Sequence, residues 1–323
     1  MDHSQFLGCI VGLAVGDALG YPAEFRTRAQ LQRELGPEGI TGFLRLKDPR
    51  FTRPFITGPD HPPGTFTDDT QMTLAVAEAL LSHGHAGREA LMQEMGRRFV
   101  AWHRSPDNNR APGATCGRGC ENLEQGVPWR EAGVAESKGC GSAMRVAALG
   151  LFYEELDEVE SVARDSSLLT HGHPAALEAS AAAALLVALA LRGTSPARMY
   201  EEIMRRCGGR SQDFDGCLSR VPDLLGRPPE EVLVAGGLGE GWVAEEAVAS
   251  ALYCFWRHPD DYRAAVLEAV NTDGDSDSLA TITGSISGAR LGLGAIPSEW
   301  VHEVERSPYL QEVGARLAAA RGL

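Results

Sequence analysis

Residues 8–20 read Gly-Cys-Ile-Val-Gly-Leu-Ala-Val-Gly-Asp-Ala-Leu-Gly, so that Gly8, Gly12, Gly16 and Gly20 recur every fourth position. Apolar residues fill the gaps, and the pattern predicts a helix over 5–19. On a helix, residues four apart lie above one another on one face. A glycine inside a helix costs about 0.5–1 kcal/mol relative to alanine, so four in one stripe call for an offsetting gain. Close approach of a neighbouring backbone supplies it. Gly284, Gly288 and Gly292 repeat the device near the other end of the chain. The two striped helices are therefore expected at the centre of the molecule, and both have carboxylates at one end.

Working outward, helical periodicity recurs over 69–81, 88–103, 140–152, 156–168, 174–191, 196–207, 244–256, 262–271, 278–293 and 310–320. No series of alternating strands stands between these segments, which favours an all-α fold. No repeat of solenoid length is visible. Long Gly- and Pro-rich connections run over 36–64, which carries Phe43, Phe51 and Phe55, and over 105–119 and 225–241. Loops of that length tend to be lids or binding loops. Candidate site residues lie at both ends of the chain with no linker between, so one domain over 1–323 is expected.

The 323 residues are 43% hydrophobic and 23% charged, ordinary values for a globular chain. With 30 Lys and Arg against 44 Asp and Glu, the formal charge is −14. That argues against nucleic-acid backbone or anionic membrane binding, which needs clustered Lys and Arg. Seven cysteines form no regular framework and read as reduced thiols of a cytoplasmic protein. Cys116 and Cys120 have a loose metal-like spacing, but no second pair joins them. The uncharged apolar run 179–191 falls short of the roughly 20 residues that span a bilayer. The apolar stretch 6–15 has Asp2 before it instead of a basic region, so it reads as a buried helix and not a signal peptide.

Two acidic clusters stand out. Thr67-Asp68-Asp69-Thr70 precedes one helical run, and Asp273-Gly274-Asp275-Ser276-Asp277-Ser278 precedes the second striped helix. Asp, Ser and Thr cap helices and complement the macrodipole, which accounts for one carboxylate in each. Two adjacent and three alternating carboxylates exceed that need. In an extended segment Asp275 and Asp277 point the same way, and Thr67 and Ser278 add neutral oxygens. Oxygen-only ligands indicate a hard cation, Mg2+, Mn2+ or Ca2+. A calcium EF-hand fails, because Ser278 stands where its loop needs glycine and Gly284 where it needs glutamate. A two-metal site is the better reading.

Thr170-His171-Gly172-His173-Pro174 opens an alanine-rich helix, and a histidine there either positions substrate or caps the helix. Ser137-Lys138-Gly139-Cys140-Gly141-Ser142 opens another and offers a phosphate cradle. Glu24 follows the first striped helix as a loop carboxylate.

In this order and spacing, residues 8–25, 64–81, 138–149, 170–176, 239–255 and 271–292 resemble the ADP-ribosylglycohydrolase family, and within it the branch that reactivates dinitrogenase reductase. The resemblance spans nearly the whole chain. It implies a compact orthogonal helical bundle with two divalent cations, Mg2+ or Mn2+, in a cleft that binds ADP-ribose. It further implies hydrolysis of the bond between ADP-ribose and a modified protein side chain or small acceptor. By matching motif, Thr67, Asp68, Asp69, Asp275, Asp277 and Ser278 would be metal ligands. Glu24 would stand near the scissile bond. Ser137, Lys138, Gly139, Cys140, Gly141 and Met144 would line the pyrophosphate, and His171 the ribose. Glu24 or Asp69 would orient or deprotonate the water; the choice stays open.

Three positions depart from the family pattern. Ser278 stands where threonine is common, Cys140 replaces an asparagine, and Asp273 replaces a glycine. Two other functions fit the same residues: an ADP-ribose-binding module without turnover, and a two-metal hydrolase of another nucleotide or phosphoester. The stretch 16–25 looks closer to the arginine-specific bacterial hydrolases, which favours arginine-linked ADP-ribose.

Overall fold

The computed structural model describes residues 1–48, 50 and 59–323. Phe51 and Phe55 of the first long connection lie outside those residues. Among the described residues there are helices and no strand. In chain order the α-helices are α1 (His3–Gly20), α2 (Arg28–Leu35), α3 (Asp68–His83), α4 (Arg88–His103), α5 (Ala114–Glu124) and α6 (Ala147–Phe152). Then come α7 (Leu156–Leu168), α8 (Pro174–Leu191), α9 (Pro196–Cys207), α10 (Gln212–Leu218), α11 (Val221–Leu224) and α12 (Pro229–Val232). The last are α13 (Ala244–Arg257), α14 (Tyr262–Val270), α15 (Ser276–Leu291), α16 (Ser298–Glu303) and α17 (Ser307–Ala320).

The striped helices α1 and α15 pack on each other along their glycines. A Cβ built at Gly16 would stand 2.1 Å from the Ala280 carbonyl oxygen, and one at Gly288 would stand 2.0 Å from the Gly8 oxygen. No side chain fits in such a gap, so the two backbones touch directly. The Tyr262 hydroxyl, from α14, donates to the Gly12 oxygen at 2.7 Å and fastens a third helix to the contact. Around this pair one apolar cluster extends from Phe6 to Ala318. The two most apolar long stretches, His3–Ala23 and Pro174–Leu191, meet the length and hydropathy of a membrane span, yet 94% and 89% of them are buried within the bundle. A helix that is apolar all round is one enclosed on all sides, and α8 is enclosed by α6, α7, α9, α13 and α15.

The expected helix over 140–152 is two pieces. A 3-10 turn at Cys140–Ser142 is followed by a bend, and α6 starts only at Ala147. The bend turns Arg145 into the interior, fully buried. The connection 105–119 is shorter than expected because α5 begins at Ala114, and α12 interrupts 225–241. In the connection 36–64, Asn271 clasps Ile40 in both directions at 2.8 and 2.9 Å, and Phe43 lies against Trp300. This part of the loop is pinned to the end of α14 and to α16.

The α1–α15 contact makes a paired prediction. Gly16→Ala has no space for its methyl and should destabilise the fold by about 1–3 kcal/mol or more, as overpacking does. Gly216→Ala, in α10, meets nothing within 4 Å. It should be neutral or stabilise by up to about 1 kcal/mol. Urea denaturation of both variants checks this, and equal stability of the two would sink the backbone-contact account.

Candidate active site

The polar clusters meet at one cavity of about 360 Å³. Its walls carry Asp68 and Asp69 from the start of α3, Asp275, Asp277 and Ser278 from the start of α15, and Glu24 and Phe25 beyond α1. Gly139, Cys140, Gly141 and Met144 form a further wall with His171 and Trp242. Residues 111–116 complete it.

Each acidic cluster divides into a cap and a surplus. At α3 the cap is Thr67, whose hydroxyl oxygen accepts from the Asp69 amide at 3.2 Å. At α15 it is Asp275, whose Oδ1 accepts from the Ser278 amide at 3.2 Å. Capping thus accounts for Thr67 and Asp275 but leaves Asp68, Asp69 and Asp277 without that duty. All four aspartates are nonetheless buried: Asp68 is 4%, Asp69 3%, Asp275 5% and Asp277 3% accessible. Burial, joined by the charges of neighbouring aspartates, pushes the carboxyls of Asp68, Asp69 and Asp275 well above the usual carboxylate range.

Asp17, inside the apolar stretch of α1, belongs to neither acidic cluster and is a buried carboxylate beside them that motif spacing misses. It is fully buried and pinned to the start of α3. Its carboxylate accepts from the Thr67 amide at 2.9 Å, the Thr70 amide at 3.0 Å and the Thr70 hydroxyl at 2.6 Å. Burial and the charge of Asp277 raise its pKa to about 7. A lone charge in an otherwise apolar and glycine-rich helix is the only signal that the sequence offers for it.

Other predicted residues fall inside or outside the walls. Thr67 is fully buried at the head of α3, outside the cavity lining, and its hydroxyl also donates to Asp69 Oδ2 at 3.3 Å. Asp68 Oδ2 accepts from the Gly113 amide at 3.2 Å, which ties the 105–113 connection to α3. Glu24 is only 7% accessible, so it is not a solvated loop carboxylate. Its segment is held by paired hydrogen bonds, Phe25 amide to Gly274 oxygen at 3.0 Å and Gly274 amide to Arg26 oxygen at 3.2 Å. Phe25 takes a left-handed backbone, φ 65°, and its ring stacks on Trp242 at 4.8 Å.

Ser137 and Lys138 do not line the cavity. Ser137 shares a 3.0 Å hydrogen bond with Thr115, and the Lys138 ammonium is held by Glu245 at 2.8 Å and Asp213 at 3.1 Å. The loop is not a row of free amides either, since the Cys140 amide donates to the Trp242 oxygen at 3.2 Å. The Cys140 side chain turns instead to the acids, and its thiol donates to Asp275 Oδ2 at 2.9 Å. Burial and that carboxylate hold the thiol protonated, with a pKa well above the usual value. Asp273 faces away, where its Oδ1 accepts from the Arg28 amide at 2.7 Å and anchors α2. The two histidines also part company. His173 caps α8 by accepting from the Ala175 amide at 3.1 Å, whereas His171 lines the cavity. Cys116 and Cys120 are buried free thiols on α5.

The donor set is suited to a hard cation, because it is built from carboxylate and hydroxyl oxygens. Asp69 Oδ1 is buried without a hydrogen-bond partner among the described residues, an arrangement that a cation would satisfy. Among those residues no three His, Cys, Asp or Glu groups are already arranged around one point as ligands. Asp68 is turned instead to Gly113, and Asp275 to Cys140 and Ser278.

One consequence is independent of any ion. Asp17→Ala removes the acceptor of three donors at the start of α3, leaving two buried amides unpaired. A loss of about 2–4 kcal/mol is expected, read by chemical denaturation. A change below about 0.5 kcal/mol would show that Asp17 does not hold the two helices together.

The chain matches the ADP-ribosylglycohydrolase family over residues 2–323. It is 27% identical over 347 residues to "ADP-ribosylhydrolase ARH3" of Mus musculus, covering 94% of this chain and 88% of that protein. It is 28% identical over 313 residues to "ADP-ribosyl-[dinitrogen reductase] glycohydrolase" of Rhodospirillum rubrum, covering 94% and 91%. A solved structure described as "ADP-ribosylglycohydrolase-related protein complex" superposes with a TM-score of 0.77 at 29% identity, over 98% of both chains. The chain therefore belongs to the ADP-ribosylglycohydrolase family, a family of glycohydrolases.

Proposed function

We propose that this member of the ADP-ribosylglycohydrolase family hydrolyses the glycosidic bond between ADP-ribose and a protein side chain or small acceptor, arginine-linked conjugates first, with two divalent cations. The observation that carries this reading is the convergence of Asp68, Asp69, Asp275, Asp277 and Glu24 on the cavity that also holds His171 and Gly139–Cys140–Gly141. The preference for arginine rests on residues 16–25, which resemble the arginine-specific bacterial hydrolases.

Thr67, Asp68, Asp69, Asp275, Asp277 and Ser278 would hold the cations, Mg2+ or Mn2+. When bound, such ions offset the crowded carboxylates and supply positive charge beside the sugar hydroxyls. Met144 and the backbone of Gly139, Cys140 and Gly141 form the wall against the pyrophosphate. His171 faces the ribose. Ser137 and Lys138 act from behind that wall, where Lys138 joins the loop to α10 and α13 through its ion pairs. Glycoside hydrolysis passes through an oxocarbenium-like state, beside which Glu24 is the cavity acid left outside the cation set. Glu24 or Asp69 orients the water and takes its proton. Glu24 is the better placed of the two, because Asp69 is committed to the cation set. The acidic balance of the sequence argues against a nucleic-acid backbone or a membrane as partner and leaves room for an ADP-ribose conjugate, and a cytoplasmic setting fits the thiols.

Product formation from ADP-ribosylated arginine, ADP-ribosylated serine, O-acetyl-ADP-ribose and simple phosphoesters, each with Mg2+ and with EDTA, tests the reading. Turnover of an ADP-ribose conjugate with Mg2+ and its loss in EDTA are expected. Binding of ADP-ribose without any turnover would make the protein a binding module, and turnover of phosphoesters alone would make it a phosphoesterase.

Two variants separate the roles. Asp277→Ala should lose cation binding and turnover together. Glu24→Ala should lower turnover by about 10²–10⁴-fold while cation and ADP-ribose affinity stay near the parent values. Calorimetric titration with Mg2+ and with ADP-ribose, alongside rates, reads both. Full activity in Glu24→Ala would shift the water to Asp69.

A further inference from the structure

Arg145 sits in the core behind the site, with no accessible surface. It forms no ion pair with a carboxylate among the described residues, yet a guanidinium keeps its charge inside a protein. Its Nη2 donates to the Ser166 oxygen at 3.0 Å and to Thr170 Oγ1 at 2.8 Å. Among the described residues its Nη1 reaches only the sulfurs of Met72 and Cys116, each at 3.8 Å, and its guanidinium carbon lies 4.4 Å from the Phe99 ring centre. A buried, unpaired cation is costly, and what it holds most closely is the residue beside His171.

Thr170 Oγ1 is also 2.8 Å from His171 Nδ1. Arginine can only donate, so the threonine oxygen accepts from Arg145 and keeps its single hydrogen for another partner. His171 Nδ1 is the remaining neighbour of that hydroxyl among the described residues. Were Nδ1 itself protonated, the threonine hydrogen would be buried without an acceptor, an arrangement that proteins avoid. Thr170 therefore donates to Nδ1, and the neutral ring carries its hydrogen on Nε2. The doubly protonated ring is excluded, since burial and the Arg145 charge push its pKa down to about 3.

Nε2 looks across the loop at residues 139–141. A Cβ built on Gly139 would stand 3.2 Å from Nε2, and one on Gly141 would stand 3.1 Å from Cε1. No protein acceptor meets Nε2 among the described residues, and the ring lines the cavity. The backbone of His171 is locked as well: its amide donates to the Ser167 oxygen at 2.7 Å, and the Ser167 hydroxyl donates to its carbonyl at 3.1 Å.

We propose that Arg145 is a positioning residue that acts through the Thr170 hydroxyl to hold His171 as the neutral Nε2–H tautomer, a fixed hydrogen-bond donor to an oxygen of the bound ligand. His171 is then neither general base nor general acid. The identity of that ligand as ADP-ribose rests on the proposed function; the relay itself does not.

The test uses the full chain with histidine ring nitrogens labelled, and His171→Gln assigns the signal among the nine histidines. Long-range proton–nitrogen correlation should show Nδ1 bare and Nε2 protonated, unchanged between about pH 6 and about pH 8, where a free histidine titrates. Thr170→Val should abolish that fixed tautomer, and Thr170→Ser should restore it. A protonated Nδ1 in the parent, or an unaltered tautomer in Thr170→Val, would overturn the relay. Arg145→Met should mimic Thr170→Val if it folds, and the threonine pair decides the matter if it does not. In a second arm, calorimetry with ADP-ribose and Mg2+ should show Thr170→Val about 3–10-fold weaker and Thr170→Ser close to the parent. Equal affinity in Thr170→Val despite a lost tautomer would remove the donor role. Failure of the parent to bind ADP-ribose would overturn the proposed function and the ligand half of this inference, while the tautomer arm still judges the relay.

Discussion

Everything at the site hangs on the backbone contact between α1 and α15. Helices separated by ordinary side chains run about 8–10 Å apart; here glycine faces glycine, and the carbonyl of one helix touches the Cα of the other. The contact runs to the end of α1, where a Cβ on Gly20 would stand 2.5 Å from the Asp277 Cα. The acids at this end of the seam are thereby delivered to the same place. Asp17 reaches the start of α3, Glu24 comes round the turn at Tyr21–Ala23, and Asp277 enters from α15. A side chain anywhere along the seam would separate these three groups, so the glycines set the geometry of carboxylates that they do not themselves bind.

The same closeness creates an electrostatic problem that the fold answers only in part. Asp17, Asp68, Asp69 and Asp275 are all buried with raised pKa values. Helix N-termini soften the cost, because the amides at the starts of α3 and α15 face this cluster. Arg145 is a buried cation nearby, but its donors go to neutral oxygens and sulfurs and not to the carboxylates. Perturbed carboxyls gathered at a cavity without mutual neutralisation mark it as the candidate functional site of the molecule.

The repeating parts of the molecule are legible in the sequence. Helices over 88–103, 156–168, 174–191 and 196–207 appear where their periodicity predicts, and both striped helices differ from expectation only near their ends. The elements that escape are short and bury few or small residues. α2 buries a single residue, Leu31, and α5 is rich in glycine, with Gly119 pressed against the Leu169 oxygen. The segment after Cys140 reads as the start of a long helix because residues 142–152 are all buried, so no polar stripe marks the bend. At the site, clustered acids are conspicuous. Asp17, Arg145 and Trp242 are not, since each is one residue whose partners lie far along the chain. Sequence shows such a residue only as a charge or an aromatic out of keeping with its surroundings.

Cys140 stands where the resemblance to the family leads one to expect an asparagine. An asparagine at that position would bring an amide able to donate and accept; a thiol is smaller and a weak donor. Here the thiol lies 2.9 Å from Asp275 Oδ2 and 3.5 Å from the Ser278 hydroxyl, so it bridges the loop at 139–141 to the start of α15. Because the thiol stays protonated, it adds no charge to the carboxylate cluster. Its amide meanwhile holds Trp242, and Trp242 carries the Phe25 ring beside Glu24. One residue thus joins the wall proposed for the pyrophosphate to an acid of the α15 cluster and, through a tryptophan, to the segment that carries Glu24. Two of these connections run through the backbone and the aromatic stack, which do not depend on the side chain at position 140, whereas the link to Asp275 is made by the thiol itself.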